Sequence, residues 1–326
     1  MEFELIDLIR ERCAVTRVDV RLGIGDDAAI LSPPAGHDLV VCTDTLVAGV
    51  HFPESTSACD LGWKALAVNL SDLAAMGATP AWALLALTLP NADRTFVAAF
   101  CDGFAELAKQ HHVALVGGDT TRGPLSVTVA VHGFAPPGRA LRRDGAQVGD
   151  QVFVTGTLGD AAAGLRCLDP RDAHAGVLFN ASGDTREWLL ARLNRPTPRI
   201  AAGVALRDRA SACIDVSDGL LADLEHVAAR SGVAIEIDAI DLPASSALLA
   251  LFDAPQRLAL QTGGGDDYEL AFTAPRQRAD AMLRDLARIG GGATRIGRVM
   301  AGEGVRLLDA DGSEIAVHQR GWQHFA

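Results

Sequence analysis

The residues best placed to do chemistry are aspartates that follow glycines or short apolar runs. They are Asp26 and Asp27 after Gly25, Asp44 after 39–42, Asp119 after Gly117-Gly118, and Asp215 and Asp218 after 212–214. In α/β proteins, the carboxyl ends of strands border the crevice where ligands bind. Each aspartate taken singly also fits a turn or a helix cap. Their recurrence in the same context therefore favours a shared ligand site.

Asp72 is the aspartate that turn chemistry explains least. The segment 61–76 predicts a helix on which Asp72 shares a face with four apolar residues, Leu61, Ala65, Val68 and Met76. A lone carboxylate on such a face costs roughly several kcal/mol unless it is paired, hydrogen-bonded or bound to a metal. A solvated second face, or a hydrogen bond to Ser71 or to a neighbouring loop, is the alternative.

Oxygen ligands without a His/Cys cluster select hard cations such as Mg²⁺. Mg²⁺ usually takes one or two carboxylates and completes its shell with water and phosphate oxygens. Several aspartates therefore predict several Mg²⁺ ions around a polyphosphate. The chain has only two lysines, Lys64 and Lys109, and no phosphate-loop motif. Metal ions would then supply most of the charge neutralisation, with help from Arg122, Arg142 and Arg143.

Two glycine segments fit either ligand binding or plain turns. Gly117-Gly118 before Asp119 would let a backbone approach a ligand closely. The segment 155–160 opens a helix, and helix N-termini favour phosphate. Strand-to-helix turns also commonly need glycine, so both interpretations stay open at this point.

Strand-like runs alternate with helical patterns, which predicts an α/β or α+β fold. The runs are 39–42, 113–116, 126–134, 152–154 and 212–214, and the helical patterns lie near 60–76, 94–110, 159–168, 186–193, 199–209, 219–231 and 276–289. Pro136-Pro137-Gly138 is the best linker signal. We therefore expect two domains, 1–140 and 141–326.

Composition excludes several classes of protein. Hydrophobic residues make up 49% and charged residues 21% of the 326 residues, which excludes disorder as the main state. The 29 basic and 41 acidic residues make nucleic acid or an anionic membrane an unexpected partner. The six scattered cysteines fit reduced thiols in the cytoplasm. Residues 1–12 carry no secretory apolar region, and the apolar stretch 81–87 is too short to span a bilayer.

The order of the motifs resembles the bacterial thiamine-monophosphate kinases over essentially the whole chain. The matching segments are Gly23–Ala29, Thr43–Leu46, Gly49–Phe52, Lys64–Ala78, Gly117–Thr121, Asp215–Leu220, Gly265–Leu270 and Gly321–Phe325. The segment 64–78, His51 and the terminal Trp322 motif are specific to this family. The aspartate pattern alone is shared with the wider group of aminoimidazole-ribonucleotide synthetase-like ATP enzymes.

The resemblance implies a two-domain aminoimidazole-ribonucleotide synthetase-like fold. Residues 1–140 would form an α/β domain that binds ATP and Mg²⁺ and pairs in a homodimer, and 141–326 a C-terminal α/β domain. The implied reaction moves the γ-phosphoryl group of ATP to thiamine monophosphate, giving thiamine diphosphate. The acceptor is already an anionic phosphate, so no general base is expected, and catalysis depends on alignment and charge neutralisation.

The resemblance also assigns residues by position. The implied metal ligands are Asp27, Thr43, Asp44, Asp72, Asp119, Asp215 and Asp218, with Asp26 assisting indirectly or through a bound water. The implied ATP contacts are Gly118, Asp119, Arg143 and Ser217. The implied substrate contacts are His51, Asp266 and Trp322. A packed loop histidine and an anchored tail are the alternatives for His51 and Trp322.

Two residues depart from the family pattern. Cys42 stands where a Ser or Thr is common, so a hydroxyl ligand would be lost there, whereas a backbone carbonyl ligand would not. Asp266 replaces a Glu, so its carboxylate must reach about one methylene further to a cationic ring. Tyr268, in the same motif, is predicted to be a core residue with a hydrogen-bonded hydroxyl.

Two other functions remain open from the sequence. One keeps the fold and changes the acceptor, as in an ATP-dependent cyclising synthetase. The other is a non-catalytic nucleotide-binding or maturation partner, whose expected reactive cysteine tail is absent from the terminal His324-Phe325-Ala326. This non-catalytic alternative predicts that the protein binds ATP but shows no turnover that depends on an acceptor.

Overall fold

The computed structural model describes residues 2–169, 181–290, 292–317 and 320–323 of the chain. His324 and Phe325 of the terminal motif lie outside these ranges. The chain divides into two compact units, 1–73 with 78–140, and 74–77 with 141–326. Both units combine helices with a sheet, so the expected mixed α/β class is confirmed.

The first unit is built on a four-stranded sheet of order β3-β6-β4-β5, in which only β4 and β5 are parallel. Its elements are α1 (Glu2–Arg12), β1 (Val20–Leu22), β2 (Ile30–Leu31), β3 (Asp38–Val47), α2 (Ala58–Ala75), β4 (Thr79–Leu89), α3 (Arg94–Gln110), β5 (Ala114–Arg122) and β6 (Ser126–Ala135). β1 and β2 form a separate antiparallel pair. The apolar stretch 81–87 is the centre of β4, a strand that the sequence patterns did not identify.

Helix α2 is buried on every side rather than along one stripe. Residues 61–71 are all buried, including Lys64 at 1% and Asn69 at 0% exposure. At Gly62 a Cβ atom would lie 1.9 Å from the carbonyl oxygen of Phe100, so the glycine lets α2 and α3 pack backbone to backbone. Asp72, the next residue after this run, is partly exposed. Its carboxylate is therefore at the edge of the core and not inside it.

The second unit has a six-stranded sheet of order β12-β9-β11-β7-β10-β8, antiparallel except between β12 and β9. Its elements are β7 (Asp150–Thr155), α4 (Asp160–Leu168), α5 (Gly183–Asn194), α6 (Ile200–Leu206), β8 (Ala212–Asp215), α7 (Leu220–Ser231), β9 (Ala234–Asp238), α8 (Ser246–Leu251), α9 (Ala254–Gly263), β10 (Leu270–Pro275), α10 (Arg276–Arg288), β11 (Ala293–Met300) and β12 (Gly304–Leu308). Val154, Ile214 and Leu224 are among the buried residues that join this sheet to α7.

Two features of the described chain bear on its environment. None of the helices in the described ranges combines the length and apolarity needed to cross a bilayer. All six cysteines lie within those ranges and are thiols rather than disulfides, with Cys13, Cys101, Cys167 and Cys213 buried.

Candidate active site

In the first unit, Asp44 and Asp72 lie on elements that Asn69 joins. The N–H of Asp44 donates to Oδ1 of Asn69 at 2.9 Å, and Nδ2 of Asn69 donates to the carbonyl of Ala65 at 3.0 Å. The thiol of Cys42 donates to the carbonyl of Asn69 at 3.5 Å, so the even-numbered side chains of this part of β3 face α2. Asp72 follows Asn69 by three residues and shares its side of the helix. The structure thus places Asp44 and Asp72 on facing surfaces.

Thr43 and Asp119 lie on the opposite, open face of the sheet. The hydroxyl of Thr43 donates to the carbonyl of Val129 at 3.0 Å. Asp119 is exposed on β5, and its Oδ1 accepts the N–H of Thr120 at 2.8 Å. β3 and β5 are the two edges of the sheet, three strand spacings or roughly 14 Å apart. Side chains at these two positions of one chain are therefore too far apart to bind the same ion.

Asp26 and Asp27 lie in the exposed turn between β1 and β2. Oδ1 of Asp26 accepts the N–H of Asp27 at 2.8 Å, which fixes the turn. Gly25, with φ of 130°, supplies a backbone conformation that L side chains rarely adopt. The carboxylate of Asp27 is thus presented by a tight turn, and Asp26 contributes to that turn.

His51 is held at the end of β3 by Val47. Its Nδ1 accepts the N–H of Val47 at 3.0 Å, and its own backbone N–H donates to the carbonyl of Val47 at 3.0 Å. Because Nδ1 accepts, the proton of the neutral ring is on Nε2. The ring is half-buried, which is compatible with both a loop anchor and a substrate contact.

The packing of strands within its own sheet explains why a glycine stands at position 118. Its φ is 150°, and a Cβ atom there would lie 1.8 Å from the carbonyl oxygen of Leu85 on β4. A close approach to a neighbouring strand thus requires this glycine, whereas the sequence analysis considered a ligand or a plain turn. Any side chain at this position would separate β4 from β5 and displace Asp119.

In the second unit, Asp215 is the last residue of β8, and the turn from β8 to α7 carries Ser217 and Asp218. Asp215 is 3% exposed, and Ser217 and Asp218 are half-buried. Oδ2 of Asp223 accepts the backbone N–H groups of Ser217, Asp218 and Gly219 at 3.0, 3.1 and 3.1 Å. One carboxylate therefore fixes the whole turn.

Asp223 was missed by the sequence interpretation. Burial, and after it the charges of Asp215 and Asp218, raise the pKa of Asp223 to about 8. The available signal was an acid placed one turn into the helix that follows an aspartate-rich turn. Asp215, Asp218 and Asp223 thus lie close enough for their charges to interact.

Asp266 and Trp322 join the same turn through their backbones. The N–H of Asp266 donates to the carbonyl of Ser217 at 2.8 Å, and the N–H of Trp322 donates to the carbonyl of Asp218 at 3.0 Å. The side chain of Trp322 is 51% exposed. The structure thus brings together Ser217, Asp218, Asp266 and Trp322, which are up to about a hundred residues apart in sequence.

Glu269, three residues after Asp266, forms a buried charge cluster with Arg192 and Arg199. It is fully buried and accepts hydrogen bonds from Arg199 at 2.5 and 2.6 Å, from Nη2 of Arg192 at 3.0 Å and from the hydroxyl of Thr155 at 2.6 Å. Nη2 of Arg192 also donates to the carbonyl of Asp267 at 2.9 Å. This cluster joins β10, β7 and two segments around α5 and α6.

The N-terminus of α4 is occupied by the protein's own carboxylates. Oδ2 of Asp267 accepts the N–H of Gly159 at 2.7 Å. A Cβ atom at Gly156 would lie 2.2 Å from Oε1 of Glu269, so this glycine makes room for Glu269. These contacts favour the turn interpretation of segment 155–160 over a phosphate contact. Burial raises the pKa of Asp267 to about 8.

The arginines expected to assist differ in their contacts. Arg142 donates to both oxygens of Asp144, at 2.8 and 2.5 Å, so its guanidinium is engaged within a surface ion pair. Arg143 is exposed, and its carbonyl accepts the hydroxyl of Ser231 at 3.1 Å. Arg122 is exposed at the end of β5.

Within the described residues, no three Asp, Glu, His or Cys side chains form a ready-made metal cluster. The candidate donors are carboxylate oxygens, singly or in pairs. This donor set fits Mg²⁺, which takes few protein ligands and completes its shell with phosphate and water oxygens. A divalent cation bound by Asp215 or Asp218 would offset part of the repulsion that these two carboxylates exert on Asp223.

Comparisons with known proteins give consistent matches. Residues 25–135 match the model of the AIR synthase related protein, N-terminal domain, and residues 147–310 match the C-terminal domain of the same family. The thiamine-monophosphate kinase of Salmonella typhimurium is 47% identical over 100% of this chain and 98% of its own length.

Solved structures of two proteins are also similar to this chain along most of its length. The thiamine-monophosphate kinase from Stenotrophomonas maltophilia is 52% identical, with a TM-score of 0.88 over 96% of this chain and 98% of that one. AaThiL complexed with AMPPCP and TMP is 36% identical, with a TM-score of 0.77 over 99% and 97%.

Proposed function

Since this chain belongs to the thiamine-monophosphate kinases of the AIR synthase related family, we propose that it transfers the γ-phosphoryl group of ATP to thiamine monophosphate. The products are ADP and thiamine diphosphate. The family resemblance found in the sequence and the two-domain α/β fold are confirmed. The observation that carries the proposal is the full-length match to named kinases, of which AaThiL has been solved with AMPPCP and TMP.

Mg²⁺ is the proposed metal, in several ions. Its ligands are proposed to be Asp27, Thr43, Asp44, Asp72, Asp119, Asp215 and Asp218. When bound, Mg²⁺ neutralises phosphate charge and aligns donor and acceptor oxygens. The support is the oxygen-only donor set and the crowding of carboxylates around Asp223. The separation of Thr43 from Asp119 on one sheet agrees with more than one ion.

The remaining residues are proposed to hold the two substrates. Gly118, Asp119, Arg143 and Ser217 contact ATP, and His51, Asp266 and Trp322 contact thiamine monophosphate. Asp266 faces the cationic ring, and the exposed indole of Trp322 stacks on a ring of the substrate. The acceptor phosphate is anionic, so these residues bind and align without abstracting a proton.

A homodimer is proposed to form through the open face of the four-stranded sheet. Val41 on β3 is 54% exposed and Leu84 on β4 is 37% exposed. Leu84, Ala130 and Thr43 are register partners, so they share one row. A face with exposed apolar side chains is typical of a protein interface. Sedimentation of the wild type and of Leu84→Asp tests this: the wild type should sediment as a dimer and the variant as a monomer.

The cytoplasm is the proposed compartment, because the six scattered cysteines form no disulfides. Nucleic acid and membranes are not proposed as partners.

The test of function is product analysis. Purified protein with MgATP and thiamine monophosphate should release ADP and thiamine diphosphate in equal amounts. A synthetase would release ADP only with another acceptor, so a panel of phosphorylated and amidated acceptors separates the two. A maturation partner would bind ATP without acceptor-dependent turnover.

A further inference from the structure

Tyr268 is the sole tyrosine of the chain. Its hydroxyl contacts Asp266, a residue that is proposed to bind the substrate. The side chain is 7% exposed, and its Oη donates to Oδ1 of Asp266 at 3.0 Å. The prediction of a core residue with a hydrogen-bonded hydroxyl is therefore confirmed, and the acceptor of that hydroxyl is a residue proposed to contact the substrate.

The backbone around this contact is strained. Asp266 has a φ of 68° and Tyr268 a φ of 50°, left-handed values that residues other than glycine seldom adopt. Such conformations persist only where the surroundings impose them, and they cluster at functional sites. Here two strained residues, separated only by Asp267, bring a carboxylate and a hydroxyl into contact.

Hydrogen bonds and ion pairs on both sides of this loop hold its strained backbone in place. The N–H groups of Asp266 and Tyr268 donate to the carbonyls of Ser217 and Val216, both at 2.8 Å. Glu269, the next residue, is fixed by Arg192 and Arg199. The loop is thus held by the aspartate turn on one side and by a buried charge cluster on the other.

We propose that Tyr268 is a positioning residue that fixes the carboxylate of Asp266 toward the cationic part of thiamine monophosphate. The inference rests on the proposed function. A donor on one oxygen restricts rotation of the carboxylate about its Cβ–Cγ bond, which orients the other oxygen. Asp266 is one methylene shorter than the Glu common in the family, so its reach depends more on a fixed orientation. The effect is confined to the thiamine substrate, because ATP is an anion.

Kinetics of Tyr268→Phe test the proposal. This variant keeps the ring and removes the donor. We expect its KM for thiamine monophosphate to rise about 10-fold or more, as for a lost hydrogen bond to a charged group, while its KM for ATP stays within about 2-fold. The control is Thr262→Val, which removes a buried hydroxyl that donates within α9 to the carbonyl of Leu258. An unchanged KM for thiamine monophosphate, or an equal rise for both substrates, would overturn the proposal.

A second measurement does not depend on the Phe variant folding. Wild-type protein labelled with 3-fluorotyrosine should give a single ¹⁹F resonance, from residue 268. Thiamine monophosphate without ATP should shift that resonance, and Asp266→Asn should weaken the response. If the chemical shift of this resonance does not change when thiamine monophosphate is added, the proposal is contradicted. Failure of the wild type to make thiamine diphosphate would instead contradict the proposed function, so the two failures are distinguishable.

Discussion

The backbone N–H of Asp44 donates a 2.9 Å hydrogen bond to Oδ1 of Asn69, and this contact ties the end of β3 to the buried helix α2. Asn69 is fully buried and also bonds to its own helix at Ala65. A buried amide that satisfies two groups is costly to remove, because its partners are left unpaired. The position of Asp44 thus depends on a buried residue of a different element.

Asn69→Ala should lower the free energy of unfolding by about 1–3 kcal/mol, the cost of leaving buried partners unsatisfied. It should also reduce turnover, since Asp44 loses its anchor. Urea denaturation and steady-state kinetics check both effects. An unchanged unfolding midpoint would mean that β3 does not depend on this bond.

Cys42→Ser should leave turnover unchanged. The thiol of Cys42 already points to the carbonyl of Asn69, and a hydroxyl would make the same contact. The presence of a cysteine where the family commonly has Ser or Thr would then have no effect on turnover. A several-fold gain in kcat on this substitution would instead indicate that a hydroxyl at position 42 serves as a ligand.

Asp72→Asn should cut kcat strongly while the fold survives. A loss of at least about 10- to 100-fold is expected, since groups that only support metal ligands already have effects of that size. The matched control on the same helix is Asp60→Asn. Asp60 accepts the hydroxyl of Ser57 in the first turn of α2, away from the proposed site. Equal turnover in both variants would remove Asp72 from the metal site.

Asp223→Ala should unfold more readily than Asp223→Asn. The alanine variant leaves three backbone N–H groups without their acceptor, whereas the amide oxygen of asparagine can still accept them. We expect a loss of about 1–3 kcal/mol for alanine. Thermal unfolding of the two variants, measured side by side, should show this difference. Identical midpoints would assign the turn's rigidity to other contacts.

Asp267 should make stability depend on pH. Burial raises its pKa from the ordinary value of 3.8 to about 8 in the folded protein. Between about pH 4 and 8, the folded state keeps a proton that the unfolded state has lost, so stability falls as pH rises. The slope is at most about 1.4 kcal/mol per pH unit. Urea unfolding of the wild type and Asp267→Asn at pH 5 and 8 checks this, because the variant should gain relative stability at pH 8. A difference that does not vary with pH would contradict the shift.

The sequence patterns predicted α2 to α7 and α10 but not α1, α8 or α9, and they predicted the strands unevenly. Helix α2 was predicted because its apolar residues recur over sixteen positions. β4 was not identified as a strand, since a continuous apolar run lacks the period of two that marks a half-buried strand. β9 to β12 were missed for lack of a clear pattern.

Long-range contacts account for what sequence reasoning missed in the site. Most of the aspartates were visible because they follow a strand or a glycine, and Asp72 because it shares a helix face with apolar residues. Glu269, Arg192 and Arg199 were not singled out, since their pairing joins residues 70 and 77 positions apart. Gly156 was considered for phosphate, but its neighbour is Glu269, 113 positions further on, and that could only be seen in the fold.

The most direct measurement follows the phosphoryl group itself. Purified wild-type protein should be incubated with [γ-³²P]ATP, Mg²⁺ and thiamine monophosphate, and the products separated. Direct transfer predicts that label enters thiamine diphosphate mole for mole with the ADP formed. Label recovered as inorganic phosphate, or ADP without labelled thiamine diphosphate, would contradict the account.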